Sequence, residues 1–475
     1  MLFLKMIYFS LKYTYLYIFS YDKHFYDKLL VELSHINIIF IKIFQWLSSE
    51  KKINDKYLLL LKKYVDNCPY DDDSVDKETL INLIKYSNEN NHNLELTSFI
   101  PYRSGSINLV FIAYLNNKKV VIKILRRNII KKIEESIDFF YYIGNIFYII
   151  FYIYNIQDII YDIIYKNKNI LIEQTNLKNE LDNIKLFKYK YRNSNYLIIP
   201  NFYEEFTDKY NNLIVMDFIE GCTIDNIQKE DKEEFNKIYL KYTYSFLEKE
   251  IIHGDLHIGN ILFCKLNNTE KNMNKIKENT INLLEYSIDK KLFSKKLMKK
   301  NIDINECDSP YIYSKENTMN LSVDKEHVKE NTYKIGLIDF GIIHILNKNE
   351  IDLAYKLFKT TDIDDFLKTL IYSLKNFIKS KNKINNIDIL IDILYKDIHT
   401  YYIENISNIN GNLFDINAIK YILYRINYYN LEINERVANF IISLCIINSL
   451  SIYFTDIDSF TNNKNLNKKL FINNF

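Results

Sequence analysis

Asp255 and Asn260 stand five residues apart in Ile252-His253-Gly254-Asp255-Leu256-His257-Ile258-Gly259-Asn260-Ile261-Leu262-Phe263, a loop bounded by apolar runs. At that spacing a carboxylate can orient an attacking hydroxyl while an amide oxygen binds a metal. A second metal-type carboxylate, Asp339, follows in Lys334-Ile335-Gly336-Leu337-Ile338-Asp339-Phe340-Gly341, which reads as a short strand ending in Asp-Phe-Gly. Together these groups suit phosphoryl transfer.

The elements that would position them lie on either side. Between Phe99 and Leu125 the pattern has the two-residue period of strands: Leu109 to Tyr114 and Lys119 to Leu125 flank Asn116-Asn117, a hairpin turn. Lys123 interrupts the buried-strand pattern Val120-Val121-Ile122-Lys123-Ile124. A strand lysine ordinarily faces solvent. Here a loop carrying Gly105 precedes the hairpin and the Asp255 loop follows it, the order expected of a phosphate-contacting lysine. Gln174 to Tyr191 reads as a helix in which Glu180 is the candidate partner of Lys123, against the ordinary reading of a surface glutamate. Tyr196 to Pro200, Phe202 to Phe206 and Leu213 to Phe218 read as strands, with a polar turn at Asp208 to Asn212. Asp217 to Gly221 then forms a hinge, and a helix over Lys232 to Glu250 leads to Asp255.

At 475 residues the chain is long enough for two domains with substantial cores. It is 48% hydrophobic with only 8 Gly and 4 Pro, which indicates an ordered, helix-rich protein. Its abundance of Ile, Asn, Lys and Tyr has the character of an AT-rich coding genome. The 62 basic and 60 acidic side chains leave a net charge of +2, so the overall balance makes no electrostatic case for nucleic acid. Cys68, Cys222, Cys264, Cys307 and Cys445 are scattered with no Cys-x-x-Cys pair, fitting a reducing compartment and neither a disulfide framework nor a zinc site.

Met1 to Ser20 is apolar and aromatic, broken by Lys5 and Lys12, with no small-residue cleavage site after it. Two readings stay open: a helix packed on the body of the protein, or a helix lying on a membrane surface. His24 to Val65 is helical in pattern and contains Lys42 and Gln45, three apart and on one helical face. A lysine in such a helix ordinarily snorkels to the surface. Phe139 to Ile156 is an uncharged run long enough to raise a membrane span. A span there would put Lys123 and the later motifs on opposite sides of the bilayer, so a buried or membrane-facing helix is expected. Lys265 to Thr332, dominated by Asn, Lys and Glu, reads as a disordered insertion between two neighbouring elements. From Asn347 the chain is helical again, with stripes at Leu353, Leu357, Phe366 and Leu370 and from Val437 to Leu450.

Taken together, these pieces resemble the UbiB-like atypical kinase family, which includes the ADCK proteins and is linked to coenzyme Q biosynthesis. The resemblance runs from about Phe40 to about Leu370, without the insertion. His253-Gly254-Asp255-x-His257-x-Gly259-Asn260 looks like the family's His-Ala/Gly-Asp-x-His-Pro-Gly-Asn loop, with Ile258 for proline. Small-molecule kinases of the aminoglycoside and choline type carry a similar loop. Phe40-Ile41-Lys42-Ile43-Phe44-Gln45 resembles the Lys-x-Gly-Gln element particular to the family, with Phe44 where glycine is usual. Pro101-Tyr102-Arg103-Ser104-Gly105-Ser106-Ile107-Asn108-Leu109-Val110 aligns on Pro-Ile-Ala-Ala-Ala-Ser-Ile-Gly-Gln-Val, and Val121 to Ile129 on Val-Ala-Val-Lys-Val-x-Arg-Pro-Gly-Ile. Gln174-x-Asn176 and Glu180-Leu181-Asp182-Asn183 resemble the Glu-x-Asp and Glu-Ala-x-Asn elements, with amides for both carboxylates of the first. Leu213 to Gly221 is close to the hinge strand. Five of the eight glycines, Gly105, Gly221, Gly254, Gly259 and Gly341, fall inside these motifs.

The resemblance implies an α+β, two-lobed protein-kinase-like fold. Residues 1–95 would form a helical extension with the Lys42/Gln45 element, 96–221 an N-lobe with inserted apolar helices, and 222–475 a helical C-lobe interrupted by 265–332. It implies ATP and Mg as cofactors, with Lys123, Glu180, Ser106 and Met216 on the nucleotide, Asn260 and Asp339 on the metal, and Asp255 as the catalytic carboxylate. His253 and His257 would shape the loop. Lys42 and Gln45 would lie on a helix that covers the site and limits access of protein substrates. A lipid or small-molecule acceptor, or ATP hydrolysis coupled to lipid handling, would follow, in an intracellular, membrane-associated protein with no nucleic-acid partner; a homodimer is left open. Two rivals stand beside this reading: a nucleotide-binding pseudokinase scaffold, and a small-molecule kinase outside the family.

Overall fold

The computed structural model describes residues 2–22, 24–48, 57, 60–61, 63–64, 68–139, 172–266, 332–360, 362–380, 387–405, 414, 416–429, 431–451 and 454. Residues 267–331 of the insertion and all but the first residue of the apolar run at 139–156 lie outside these. The chain divides into two compact units: Met1–Lys190 with Ile199–Ile219 and Leu337–Ile343, and Tyr191–Ile198 with Glu220–Gly336 and His344–Phe475. Both mix helix with sheet, and the fold is α+β and kinase-like.

In the first unit a five-stranded antiparallel sheet is built on the hairpin Asn108–Leu115 and Lys118–Leu125. Asn116 and Asn117 take φ of 50° and 64°, the left-handed values that a two-residue turn between twisted strands requires and that asparagine tolerates. Leu94–Leu96 and Arg103–Ser104 pair with the first strand and Leu213–Asp217 with the second. Alternation divides the side chains. Leu109, Phe111, Val120, Ile122, Ile124 and Val215 face a core shared with Leu80 and Leu83 of helix Lys77–Glu89. On the opposite face, Leu125, Ile214 and Met216 join Leu177 and Leu181 with Phe40, Ile41 and Phe44 of the N-terminal extension.

The extension begins with helix Leu2–Phe19. It packs through Phe9 and Tyr13 on Phe25 of helix Phe25–Ile36, and Lys12 pairs with Glu32 at 2.7 Å. The helical pattern expected without a break from His24 is broken at Asn37, which is extended (φ −159°, ψ 147°). Asn37 Oδ1 accepts the Ile39 N–H at 3.0 Å, opening a separate helix, Ile38–Ser48.

One strand expected from the sequence is instead a helix. Tyr203 N–H still donates to Val215 O at 2.9 Å, but Glu204–Lys209 then turns helical. Glu204 and Glu205 sit in its first turn and Lys209 in its last, charges that complement the helix dipole and outweigh the strand pattern of Phe202 to Phe206.

In the second unit, helix Lys232–Lys249 ends at Glu250, left-handed at φ 55°. Strand Ile251–His253 and the Asp255 loop follow directly. Leu266 N–H donates to Thr332 O at 2.8 Å, so the insertion leaves and rejoins the fold at one point. Helices Lys348–Lys359, Ile363–Leu374, Ile387–Glu404, Ile416–Tyr428 and Glu435–Ser451 make up the C-terminal part. Asn347 and Glu350 form a reciprocal capping box at the start of the first, and Arg436 grips the buried Glu350 through two bonds of 2.8 and 2.9 Å.

Candidate functional site

Lys123 faces its acidic partners because of strand register. It pairs with Val110 and Ile214 and lies on the sheet face of Val121 and Leu125, the face covered by helix Leu177–Lys190. Glu180 enters that gap from the helix's first turn, where the backbone dipole favours a carboxylate. Asn176, an amide where the family pattern has a carboxylate, accepts the Asn179 N–H on its Oδ1 at 3.3 Å just before this helix.

The lysine Nζ lies 2.7 and 2.8 Å from the two Glu180 oxygens and 2.9 Å from Asp339 Oδ2. Lys123 and Glu180 are buried; the Asp339 side chain is 38% exposed. Burial pushes the ammonium down, but the Asp339 and Glu180 charges outweigh it and hold Lys123 above the ordinary lysine value. Burial also raises the Glu180 carboxyl, opposed by the Lys123 charge and reinforced by the Asp339 charge.

Asp339 is held from the same helix. Asn183 Nδ2 donates to Phe340 O at 2.7 Å, Phe340 N–H to Glu180 Oε1 at 3.4 Å, and the Phe187 ring meets Phe340 edge-on at 5.3 Å. Glu180, Asn183 and Phe187 are spaced i, i+3, i+7, one helical face that docks the Asp-Phe-Gly segment. Asn183 and Phe187 went unassigned in the sequence reading; their spacing from Glu180 is the signal that could have found them. Asp339 Oδ1 accepts the Gly341 N–H at 2.9 Å.

The second unit carries a self-braced loop of its own. Asn260 is buried and its Nδ2 donates to Asp255 O at 2.8 Å, which fixes the five-residue spacing. His253 Nδ1 accepts the Asp255 N–H at 3.2 Å and His257 Nδ1 the Gly259 N–H at 3.0 Å. Both histidines therefore shape the loop. Ser443 of helix Glu435–Ser451 donates to Gly254 O at 3.0 Å. The Asp255 side chain is 44% exposed.

The remaining sequence-derived residues lie in the first unit. Ser106 is buried beside Gly105, and Met216 is buried with Ile107 and Ile214. Lys42 and Gln45 lie on helix Ile38–Ser48; Lys42 is half-buried, and the Gln45 side chain is outside the described residues. Phe44, where the family has glycine, fills the core against Tyr64, ring centroids 5.0 Å apart. That substitution adds packing to a helix already seated on the sheet.

Comparison with known proteins bears on this arrangement. Residues 71–288 match the model of the ABC1 atypical kinase-like domain. A probable protein kinase UbiB of Shewanella sp. (strain W3-18-1) is 26% identical over 250 residues, 50% of this chain and 44% of that protein. One from Blochmanniella pennsylvanica is 28% identical over 172 residues, 34% and 31% of the two chains. The chain thus spans less than half the length of these curated relatives. A solved complex of Rv3197 with erythromycin from Mycobacterium tuberculosis aligns over 74% of each chain at 11% identity and a TM-score of 0.36. The 71–288 match holds Lys123, Glu180, Asp255 and Asn260; Asp339 lies beyond it, joined to the first two by the contacts above. Over residues 71–288 the chain is thus similar to the ABC1 atypical kinase-like domain, and it resembles proteins named probable protein kinase UbiB.

Proposed function

We propose that this protein binds Mg-ATP and either transfers its terminal phosphoryl group to a lipid or small-molecule acceptor or couples its hydrolysis to lipid handling. The observation that carries the reading is the Lys123 ammonium held between buried Glu180 and partly exposed Asp339. The donor chemistry fits the implied cofactor: Asp339 offers a hard, partly exposed carboxylate oxygen, the type of ligand that would hold a magnesium ion. The bound metal supplies charge neutralisation on the transferring phosphoryl group.

In the first unit Lys123, kept charged by its two carboxylates, binds phosphate oxygens, and Glu180 fixes its position. Asp339 serves as a metal ligand. In the second unit Asn260 serves as a metal ligand and Asp255 orients the acceptor hydroxyl or water, its backbone set by Asn260 and His253. Ser106 and Met216 are assigned to the nucleotide, and Lys42 and Gln45 to the cover that restricts large acceptors.

Lipid contact is supported by helix Leu2–Phe19. Opposite its packed face, Leu4, Tyr8, Leu11, Tyr15 and Ile18 are 60–70% exposed along one stripe, with Lys5 exposed beside it. Among the described residues no helix is long and apolar enough to cross a membrane. Cys68, Cys222, Cys264 and Cys445 are present as thiols, in accord with an intracellular setting.

The test is nucleotide affinity and phosphate release with and without lipid vesicles, in wild type, Asp339→Asn and Asp255→Asn. Metal-dependent binding lost in Asp339→Asn, and turnover lost in Asp255→Asn with binding retained, is the expected result. Binding unchanged in Asp339→Asn would overturn the metal assignment, and binding without turnover in wild type would replace the enzyme by a nucleotide-binding scaffold.

A further inference from the structure

The loop Ser104–Ile107 is tied to the rest of the first unit by one side chain, outside the Lys123 cluster. Arg126, the residue after the strand that carries Lys123, is buried. Its Nε and Nη2 donate to Gly105 O at 3.0 and 2.8 Å. Nη2 also reaches Ser104 Oγ at 2.8 Å, and Nη1 and Nη2 both reach Pro69 O at 3.0 Å. The Arg126 backbone N–H donates to Ile107 O at 2.9 Å, and the Cys68 N–H to Ser104 O at 2.7 Å.

Two consequences follow from these bonds. The carbonyls of Ser104, Gly105 and Ile107, which would repel a polyphosphate, are all engaged as acceptors within the fold. Three segments are also locked into one frame: the loop, the lysine strand and the Cys68–Pro69 strap that follows the helical extension. Only a planar guanidinium can serve acceptors in all these directions at once; an ammonium cannot. The hydrogen bonds go to neutral oxygens, so the side chain acts through geometry and not through an ion pair.

We infer that Arg126 is a positioning residue for the phosphate end of the nucleotide site, holding the Ser104–Ile107 loop in register with Lys123 and coupling it to the strap at Pro69. The inference rests on the proposed nucleotide reading, and its test separates the two. In the full chain, Arg126→Lys keeps the charge and loses the fork. Hydrogen exchange without nucleotide should rise about tenfold or more at the Cys68 and Gly105 amides and stay unchanged at Phe340. Affinity for Mg-ATP and Mg-ADP should fall about tenfold while affinity for adenosine, which has no phosphates, is retained.

Ser104→Ala removes one acceptor and should move both readouts in the same direction by less, which keeps the test decisive if Arg126→Lys folds poorly. Unchanged loop exchange in both variants would overturn the inference. So would equal weakening of ATP and adenosine accompanied by a lower Tm, the signature of a purely structural arginine. A wild type that binds neither ligand would overturn the nucleotide reading, while the exchange data still decide whether Arg126 holds the loop.

Discussion

Lys123 and Glu180 form one buried pair, yet replacing one or the other should have very unequal effects. In Glu180→Gln the ammonium keeps Asp339 at 2.9 Å and loses only charge-assisted bonds, a cost of about 1–3 kcal/mol. In Lys123→Met the Glu180 carboxylate, its side chain 4% exposed, stays buried beside the like charge of Asp339 and loses the ammonium that bonds both its oxygens. Removing one partner of a buried pair in that way costs about 3–5 kcal/mol. For a domain of roughly 200 residues each kcal/mol moves Tm by about 2–4 °C, so Lys123→Met should lower it by about 6–20 °C. The double variant Lys123→Met/Glu180→Gln removes the stranded charge and should recover about 1–3 kcal/mol relative to Lys123→Met. Thermal and urea unfolding followed by circular dichroism measures all four proteins, with exchange at the Phe340 amide reporting on the Glu180 contact. Equal single-mutant losses that add in the double variant would refute the argument that Glu180 is stranded as a buried charge without Lys123.

Lys123 has a folded value above that of a free lysine, so its stabilisation is complete below the free-lysine pKa and is lost only as pH rises through the higher folded value. The stability gap between wild type and Lys123→Met should therefore not shrink from about pH 7 to about pH 9; shrinkage in that window, seen by urea unfolding, would contradict the assignment. Glu350 is 1% exposed and Arg436 37%, so Arg436→Met should destabilise the second unit by about 2–3 kcal/mol, read by the same denaturation. Leu11 is 69% exposed; Leu11→Glu should leave Tm within about 2 °C but weaken vesicle binding tenfold or more in a flotation assay, from about 1.5–3 kcal/mol of lost burial. Gly221→Ala would bring a Cβ to 2.8 Å from Cys264 Sγ and 3.1 Å from Phe263 O, and should cost about 1–3 kcal/mol in thermal unfolding.

The legible parts of this molecule were those written in local period or in motif. The hairpin around Asn116-Asn117 follows from alternation and turn chemistry alone, and alternation places Lys123 on the face that meets Glu180. Lines of sequence do not show which distant segments meet. Arg126 finds its partners at Pro69, Ser104 and Gly105, and Glu350 finds Arg436, through chain separations that no periodicity encodes. The strand misread at Phe202 to Phe206 failed for another reason. Aromatic residues carry strand propensity in general, whereas Glu204, Glu205 and Lys209 settle a single short helix by their order. Asn37 is a third kind of miss, since apolar residues on both sides conceal a cap made by one polar atom.

Four of the five non-glycine residues with positive φ among those described are asparagines: Asn91, Asn116, Asn117 and Asn128. The family pattern has glycine at the position of Asn128. Glycine codons begin with two guanines, whereas asparagine codons begin with two adenines, so a base-composition bias can pass through the corners of the fold without changing their backbone. The exchange has a chemical price in shelf life. An exposed asparagine at a turn deamidates with time, and conversion to isoaspartate at Asn116 or Asn117 would add a backbone atom to the tip of the hairpin that carries Lys123. The oldest molecules in a population would then differ first at that tip.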